Sequence, residues 1–229
     1  MVNDASPFRV PPVSAEQVER FTARVCGGRE DEARQLVDDL LGCGASAETL
    51  MMDLLAPAAR LMGDFWCQDR CDFVEVTLGM ARLQQLVRQF RLPSARPGEL
   101  HGHALLLPVP GEQHTFGLRL VEEHLLRAGW KVSSLLRVSE AEAVRLVSEE
   151  HFEFIGFSLS SERLLPTLRS AIRDLRSSSR NRNIRVAVGG VLFDGRDIAP
   201  RDIDADAIIT DAWDAVHQAN EWSGLAGVE

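Results

Sequence analysis

The sequence predicts two successive folds, an N-terminal four-helix bundle and then a doubly wound α/β domain built on a five-stranded parallel sheet. Three observations predict this. Between Ser14 and Arg91 apolar residues recur at helical intervals, without strand-like alternation. Leu92-Pro93-Ser94-Ala95-Arg96-Pro97-Gly98 then breaks the period with two Pro and a Gly. Beyond it short apolar runs alternate with helical stretches, the pattern of a parallel sheet covered on both faces. The expected boundaries are a mobile arm over 1–13, a helical bundle over 14–92, a linker over 93–101 and an α/β domain over 102–229.

In the helical half, Val18, Phe21 and Val25 form a first stripe, stopped by Gly27-Gly28. Ala33, Leu36, Val37, Leu40 and Leu41 form a second, closed by Gly42-Cys43-Gly44. Ser46 is an N-cap for the third helix, whose apolar face is Leu50, Leu54, Ala58, Leu61 and Phe65. After the polar turn Gln68-Asp69-Arg70, the stripe Phe73, Val76, Met80, Leu83, Val87 and Phe90 marks the fourth helix. In the second half, strands are expected at 103–109, 131–136, 152–158, 184–189 and 206–210. Helices are expected at 115–128, 139–150, 161–177, briefly at 191–197, and at 212–222, with Ser139-x-x-Glu142 as a capping box. Five such strands predict the flavodoxin-like order.

Composition narrows the function. The chain has 229 residues, 45% of them hydrophobic and 26% charged, as in ordinary globular proteins. A formal charge of −9 argues against nonspecific adhesion to nucleic acid or anionic membranes. No signal peptide and no run of membrane-spanning length stands out, so a cytoplasmic protein is expected. Cys67 and Cys71 are spaced Cys-x-x-x-Cys, but no second ligand pair completes a zinc site, and Cys26 and Cys43 stand apart.

The chemistry centres on Pro108-Val109-Pro110-Gly111-Glu112-Gln113-His114-Thr115-Phe116-Gly117, a loop between the first strand and its helix. Open parallel sheets bind ligands at the carboxyl ends of their strands. A carboxylate two residues before a histidine can hold one imidazole nitrogen while the other faces a metal or a proton. A lone His is more commonly a surface or capping residue, and Glu112 could equally complement the helix dipole. Two later loops share this edge. Ser158-Leu159-Ser160-Ser161 offers hydroxyls that could bind a polar ligand or cap the next helix. Gly189-Gly190 permits close approach of a large flat group, or simply makes a tight turn. Thr210-Asp211 is readable as an N-cap. Seven arginines, from Arg163 to Arg185, line the third sheet helix and its exit, as a solvated face or as a strip for an acidic partner.

Taken together, Glu112-x-His114-x-x-Gly117, Ser158-x-Ser160 and Gly189-Gly190 resemble the Asp-x-His-x-x-Gly, Ser-x-Leu, Gly-Gly signature of cobalamin-binding domains. Forty residues separate Gly117 from Ser158, and 28 separate Ser160 from Gly189, as in that signature. Glu112 departs from the usual Asp and Ser160 from the usual Leu. The resemblance implies that His114 is the lower axial cobalt ligand, and that Glu112, Thr115, Phe116, Gly117, Ser158, Ser160, Gly189 and Gly190 contact the cofactor. Met62-Gly63-Asp64-Phe65-Trp66 resembles the Leu-Gly-x-x-Trp stretch of the helical cap that accompanies such domains, which makes Trp66 the cap residue. By pattern alone, Trp66 would be a core residue on an apolar helix face. Repressor-type cobalamin photoreceptors carry Glu-His where this chain has Val76-Thr77, and Cys67 is the thiol nearest Trp66 in sequence.

The stretch Leu55 to Trp66, then Cys71 to Gly79, resembles AerR/PpaA-type antirepressors of purple photosynthetic bacteria, and this resemblance spans roughly 46–215. It implies a non-enzymatic, light-responsive regulator that holds adenosylcobalamin or hydroxocobalamin and acts on a partner repressor of photosystem genes. No sequence-specific DNA contact of its own and no membrane association are expected. A corrinoid shuttle subunit of a methyltransferase system and a haem sensor with His114 as ligand are the alternatives.

Overall fold

The computed structural model describes residues 13–90, 101–137 and 139–224. The expected arm, apart from Val13, and the expected linker, apart from His101, lie outside these residues. The chain divides into two compact units, Met1–Arg91 and Leu92–Glu229.

The first unit is helical: α1 (Ala15–Cys26), α2 (Glu30–Gly42), α3 (Ala47–Leu50), α4 (Ala56–Cys67) and α5 (Phe73–Gln89). A π-helical segment, Met51–Leu55, joins α3 to α4, so four helical rods form, as the stripes predict. Helix α1 packs against α2, α4 and α5. Its start carries a capping box in which Gln17 and Ser14 satisfy each other's backbone N–H. Asp72 and Glu75 repeat the device at α5, while Ser46 caps α3 by accepting from Thr49 N–H at 3.0 Å. The core holds Phe21, Leu50, Met51, Leu54, Leu55, Met62, Phe65 and Leu83, all 2% exposed or less. Full burial of each such side chain stabilises the unit by about 1.5–3 kcal/mol.

Two expectations shift. Met62 takes the buried position predicted for Leu61, while Ala58 and Phe65 are buried as the stripe expects. Met62 then lies against Gly79 of α5, where an added Cβ would come within 2.7 Å of its Sδ. The predicted α5 stripe is covered only in its second half. Leu83 and Val87 are buried, whereas Phe73 is 71% exposed and stands beside exposed Val74 and Leu78. Helical spacing identifies an apolar face but not whether the unit covers it.

The second unit carries the predicted sheet: β1 (His103–Pro108), β2 (Lys131–Ser134), β3 (Phe154–Ser158), β4 (Arg185–Gly189) and β5 (Ala207–Ile209). All pairings are parallel, in the order β2-β1-β3-β4-β5, which is the flavodoxin-like order. The most apolar runs occupy the centre, and the mixed Lys131-Val132-Ser133-Ser134 takes an edge. Between the strands lie α6 (Phe116–Arg127), α7 (Glu140–Glu149) and α8 (Leu165–Ser178), with α9 (Ala212–Trp222) last. Leu105, Leu107, Ile155 and Phe157 share one core with α7 and α8 residues such as Val147 and Ile172. Ala104, Leu106 and Phe154 point the other way, joining Leu118 and Leu125 of α6 and Ala219 of α9. The short helix expected at 191–197 is one 3-10 turn, Val191–Phe193, and a second follows at Pro200–Ile203. Ser139 and Glu142 form the predicted capping box.

Candidate functional site

Chain order along the sheet reverses between β1 and β3, because β2 lies outside β1 while β3 starts the other wing. Such a switch point splays the two following loops apart and opens a crevice at the carboxyl edge. Pro108, Ser158 and Gly189 are in register, so the loops after β1, β3 and β4 leave the sheet at one level.

Glu112 is the hub of this edge. Its side chain is 2% exposed. Oε1 accepts from the backbone N–H of Gln113 at 2.7 Å and of His114 at 2.8 Å, and from His114 Nδ1 at 2.7 Å. Oε2 accepts from Ser160 N–H and from Ser160 Oγ, each at 2.6 Å. Burial alone would raise the pKa of this carboxyl. Donation from the Ser160 hydroxyl, the His114 backbone and ring, and the Ser160 backbone outweighs burial and lowers it to about 2. Glu112 is therefore a fixed anion, and an acceptor-only carboxylate assigns the Nδ1 proton to His114.

The His114 ring is 78% exposed, and Nε2 makes no hydrogen bond among the described residues. Fixed on one nitrogen and open on the other, it has the arrangement of a metal-binding imidazole. Ser158 Oγ donates to the His114 carbonyl at 3.2 Å, and Ser160 Oγ lies 2.9 Å from Nδ1. Ser160 and Ser161 make no side-chain cap on the turn that follows, so the capping alternative for Ser160 fails.

The remaining predicted residues divide. Thr115 precedes α6 without a side-chain cap bond, and Phe116 is buried in the unit. Gly117 sits in open space, since a Cβ there would meet nothing within 4 Å. The chain's own packing does not require glycine at 117. Gly189 and Gly190 differ. A Cβ on Gly190 would fall 2.3 Å from the Leu159 carbonyl, and one on Gly189 would fall 2.9 Å from the Ile209 carbonyl. Gly190 also has φ +116°, a region that disfavours side chains. These glycines are thus required by close backbone packing within the unit. Asp211 caps α9 by accepting from Asp214 N–H at 2.8 Å, and Thr210 donates to Asp214, so this pair is structural.

In the helical unit Trp66 is 54% exposed, one turn beyond the buried Met62, so the core placement suggested by pattern is corrected. Phe73, Val74 and Leu78, in the first turns of the next helix α5, are exposed as well. The sequence places Phe73 in the α5 stripe and gives no role to Val74 or Leu78. Cys67 is exposed and Cys71 buried, and no metal-holding group of three or more His, Cys, Asp or Glu occurs among the described residues. The arginine strip is mostly satisfied within the unit. Arg169 donates to the Asp202 carbonyl, Arg173 pairs with Asp204, and Arg176 and Arg185 pair with Asp206.

A flavodoxin-like sheet with an imidazole held open at its switch point defines a cofactor-binding α/β domain, here accompanied by a helical unit. The chain belongs to the B12 binding domain family, which matches residues 102–219, and a second B12 binding domain matches residues 17–90. It is 29% identical over 179 residues to an uncharacterized 20.5 kDa protein of the bchF-crtJ intergenic region of Rhodobacter capsulatus. That alignment covers 77% of this chain and 93% of the relative. Among solved structures it resembles the Methanosarcina barkeri monomethylamine corrinoid protein, with a TM-score of 0.72 and 16% identity. The match spans 90% of this chain and 98% of the other, and it shows the shared fold. No helix among the described residues is long and apolar enough to cross a membrane.

Proposed function

We propose that this chain is a cobalamin-dependent, light-responsive regulator that takes His114 as its lower axial cobalt ligand and acts as an antirepressor through a partner repressor. The observation that carries the ligand assignment is the 78% exposed imidazole held by a 2% exposed Glu112. Glu112 fixes the tautomer that leaves Nε2 free to donate a lone pair. Ser160 supplies two of the five hydrogen bonds that keep Glu112 in place. Gly117 leaves no side chain beside the loop that carries His114, and within the helical unit Trp66, Phe73, Val74 and Leu78 are exposed apolar side chains.

When bound, the cofactor supplies an exchangeable or photolabile upper cobalt ligand. The regulatory part rests on the resemblance to AerR/PpaA-type antirepressors, supported by a relative named for its place between bchF and crtJ. Adenosylcobalamin and hydroxocobalamin are the forms to test. The experiment is a dark-and-light comparison of corrinoid uptake and of binding to a candidate repressor, for wild type and His114→Ala. Uptake that depends on His114 and repressor binding that depends on illumination support the proposal. Equal repressor binding in both lights removes the photoregulatory part. The shuttle alternative predicts cobalt cycling with a methyltransferase partner, and a haem sensor predicts a Soret band.

A further inference from the structure

Cys26 closes α1, and Cys71 stands in the turn before α5, directly ahead of its N-cap Asp72. Both are free thiols and both are buried, whereas Cys43 and Cys67 are exposed. The helices α1 and α5 pack together, and there the Cys26 thiol is hydrogen-bonded to Cys71. Contacts on both sides fix this meeting. Arg70 reaches Glu19 of α1 at 3.1 Å and lies 3.7 Å over the Phe65 ring, which holds the turn. From α5, Arg82 donates to the Val25 carbonyl at 2.8 Å and pairs with Glu30 at 2.7 Å, which holds the end of α1. Burial, then the neighbouring Cys71 and Glu75, push the Cys26 thiol up to about 12 against the pull of Arg82. Cys26 therefore keeps its proton and is the donor of the pair.

We propose that Cys26 and Cys71 are a site of reversible oxidation, at which a peroxide forms a disulfide tying the end of α1 to the start of α5. Cys71, the acceptor of the pair, reacts first. Its sulfur attacks one oxygen of hydrogen peroxide, the O–O bond breaks, and the thiol proton leaves with the other oxygen as water. The Cys26 sulfur then attacks the sulfenic sulfur of Cys71. The S–O bond breaks, and the leaving oxygen carries off the Cys26 proton as a second water. Two thiols lose one electron each, and the peroxide takes both. A dithiol reverses the step by thiol–disulfide exchange. The position of the tie gives it a consequence. Glu75 N–H bonds the Asp72 carboxylate at 2.7 Å, and Val76 N–H bonds the Asp72 carbonyl at 3.0 Å. A crosslink at Cys71 thus pins the first turn of α5, which carries the exposed Phe73 and Val74. The inference lies wholly within the helical unit and does not rest on the cobalamin proposal.

The test treats the full chain carrying Cys43→Ala and Cys67→Ala with hydrogen peroxide. Both substitutions are at exposed positions, and they leave only the buried pair. Both remaining thiols should disappear, peptide mapping should find a Cys26–Cys71 link within one chain, and dithiothreitol should restore both thiols. Wild type should form the same link, and not the Cys67–Cys71 link that its Cys-x-x-x-Cys spacing allows. Thiols that persist, that oxidise further without a link, or that pair between chains overturn the proposal. A Cys67–Cys71 link in wild type overturns it as well. In the oxidised chain the Glu75 and Val76 amides should exchange about tenfold or more slowly than in the reduced one, with β1 amides unchanged. Equal exchange in the two states overturns the pinning of α5.

Discussion

Glu112 and Ser160 are joined by two 2.6 Å hydrogen bonds across 48 residues, and the same carboxylate holds His114 Nδ1 at 2.7 Å. These are the two positions at which the chain departs from the cobalamin-domain signature. The longer Glu arm reaches the loop after β3, and a hydroxyl in place of Leu meets it there. The departures compensate each other.

Ser160→Ala removes the hydroxyl donor but keeps the backbone one. Corrinoid affinity should fall about tenfold, and Glu112→Gln should cost about 10–100-fold because the amide cannot accept all five bonds. In the double variant the losses should be clearly less than additive, as expected for two groups serving one imidazole. Absorbance titration of the four proteins measures this, and additive losses would separate Ser160 from Glu112.

Acid should destabilise the α/β unit in two windows. His103 is buried, which lowers its pKa from 6.5 with help from Lys131 and against Glu150 and Glu153. Its neutral ring is favoured in the fold, so its contribution is present above 6.5 and is lost as pH falls through the lower, folded value. Glu112, depressed from 4.5 to about 2, contributes stability that is present above 4.5 and lost between there and about 2. That contribution is on the order of 3 kcal/mol. Urea unfolding at stepped pH should show both declines, with the lower one missing in Glu112→Gln.

The α4 residues should separate binding from folding. Trp66→Ala removes a half-exposed ring and should change stability by less than about 0.5 kcal/mol while weakening corrinoid binding. Met62→Ala, one turn earlier and fully buried, should cost about 2–5 kcal/mol. Paired melting curves and titrations test the contrast. A Trp66→Ala variant that binds like wild type would reduce Trp66 to a surface residue.

Much of this was legible in the sequence because it is local. Strand-helix alternation carries the five parallel strands and their flavodoxin-like order, and strand-to-helix punctuation places Glu112 and His114 at the carboxyl edge. What was not legible depends on distant contacts. Ser160 has the sequence of an N-cap, and only folding brings it to a carboxylate 48 residues away. Gly189-Gly190 suggests room for a ligand, whereas Leu159 and Ile209 backbone fills that room. Leu61 and Met62 fit the helical spacing between Ala58 and Phe65 equally well, and only the packing of Met62 against Gly79 of α5 selects between them. Phe73 continues a helical stripe whose first turns the helical unit does not cover.

The most direct measurement is an absorption-monitored titration of the purified protein with hydroxocobalamin, beside the His114→Ala variant. The account predicts saturable uptake with corrin bands in the wild type and loss of that uptake, or of the histidine-ligated spectrum, in the variant. No corrinoid uptake by the wild type, a Soret band in its place, or an identical spectrum in His114→Ala would contradict it.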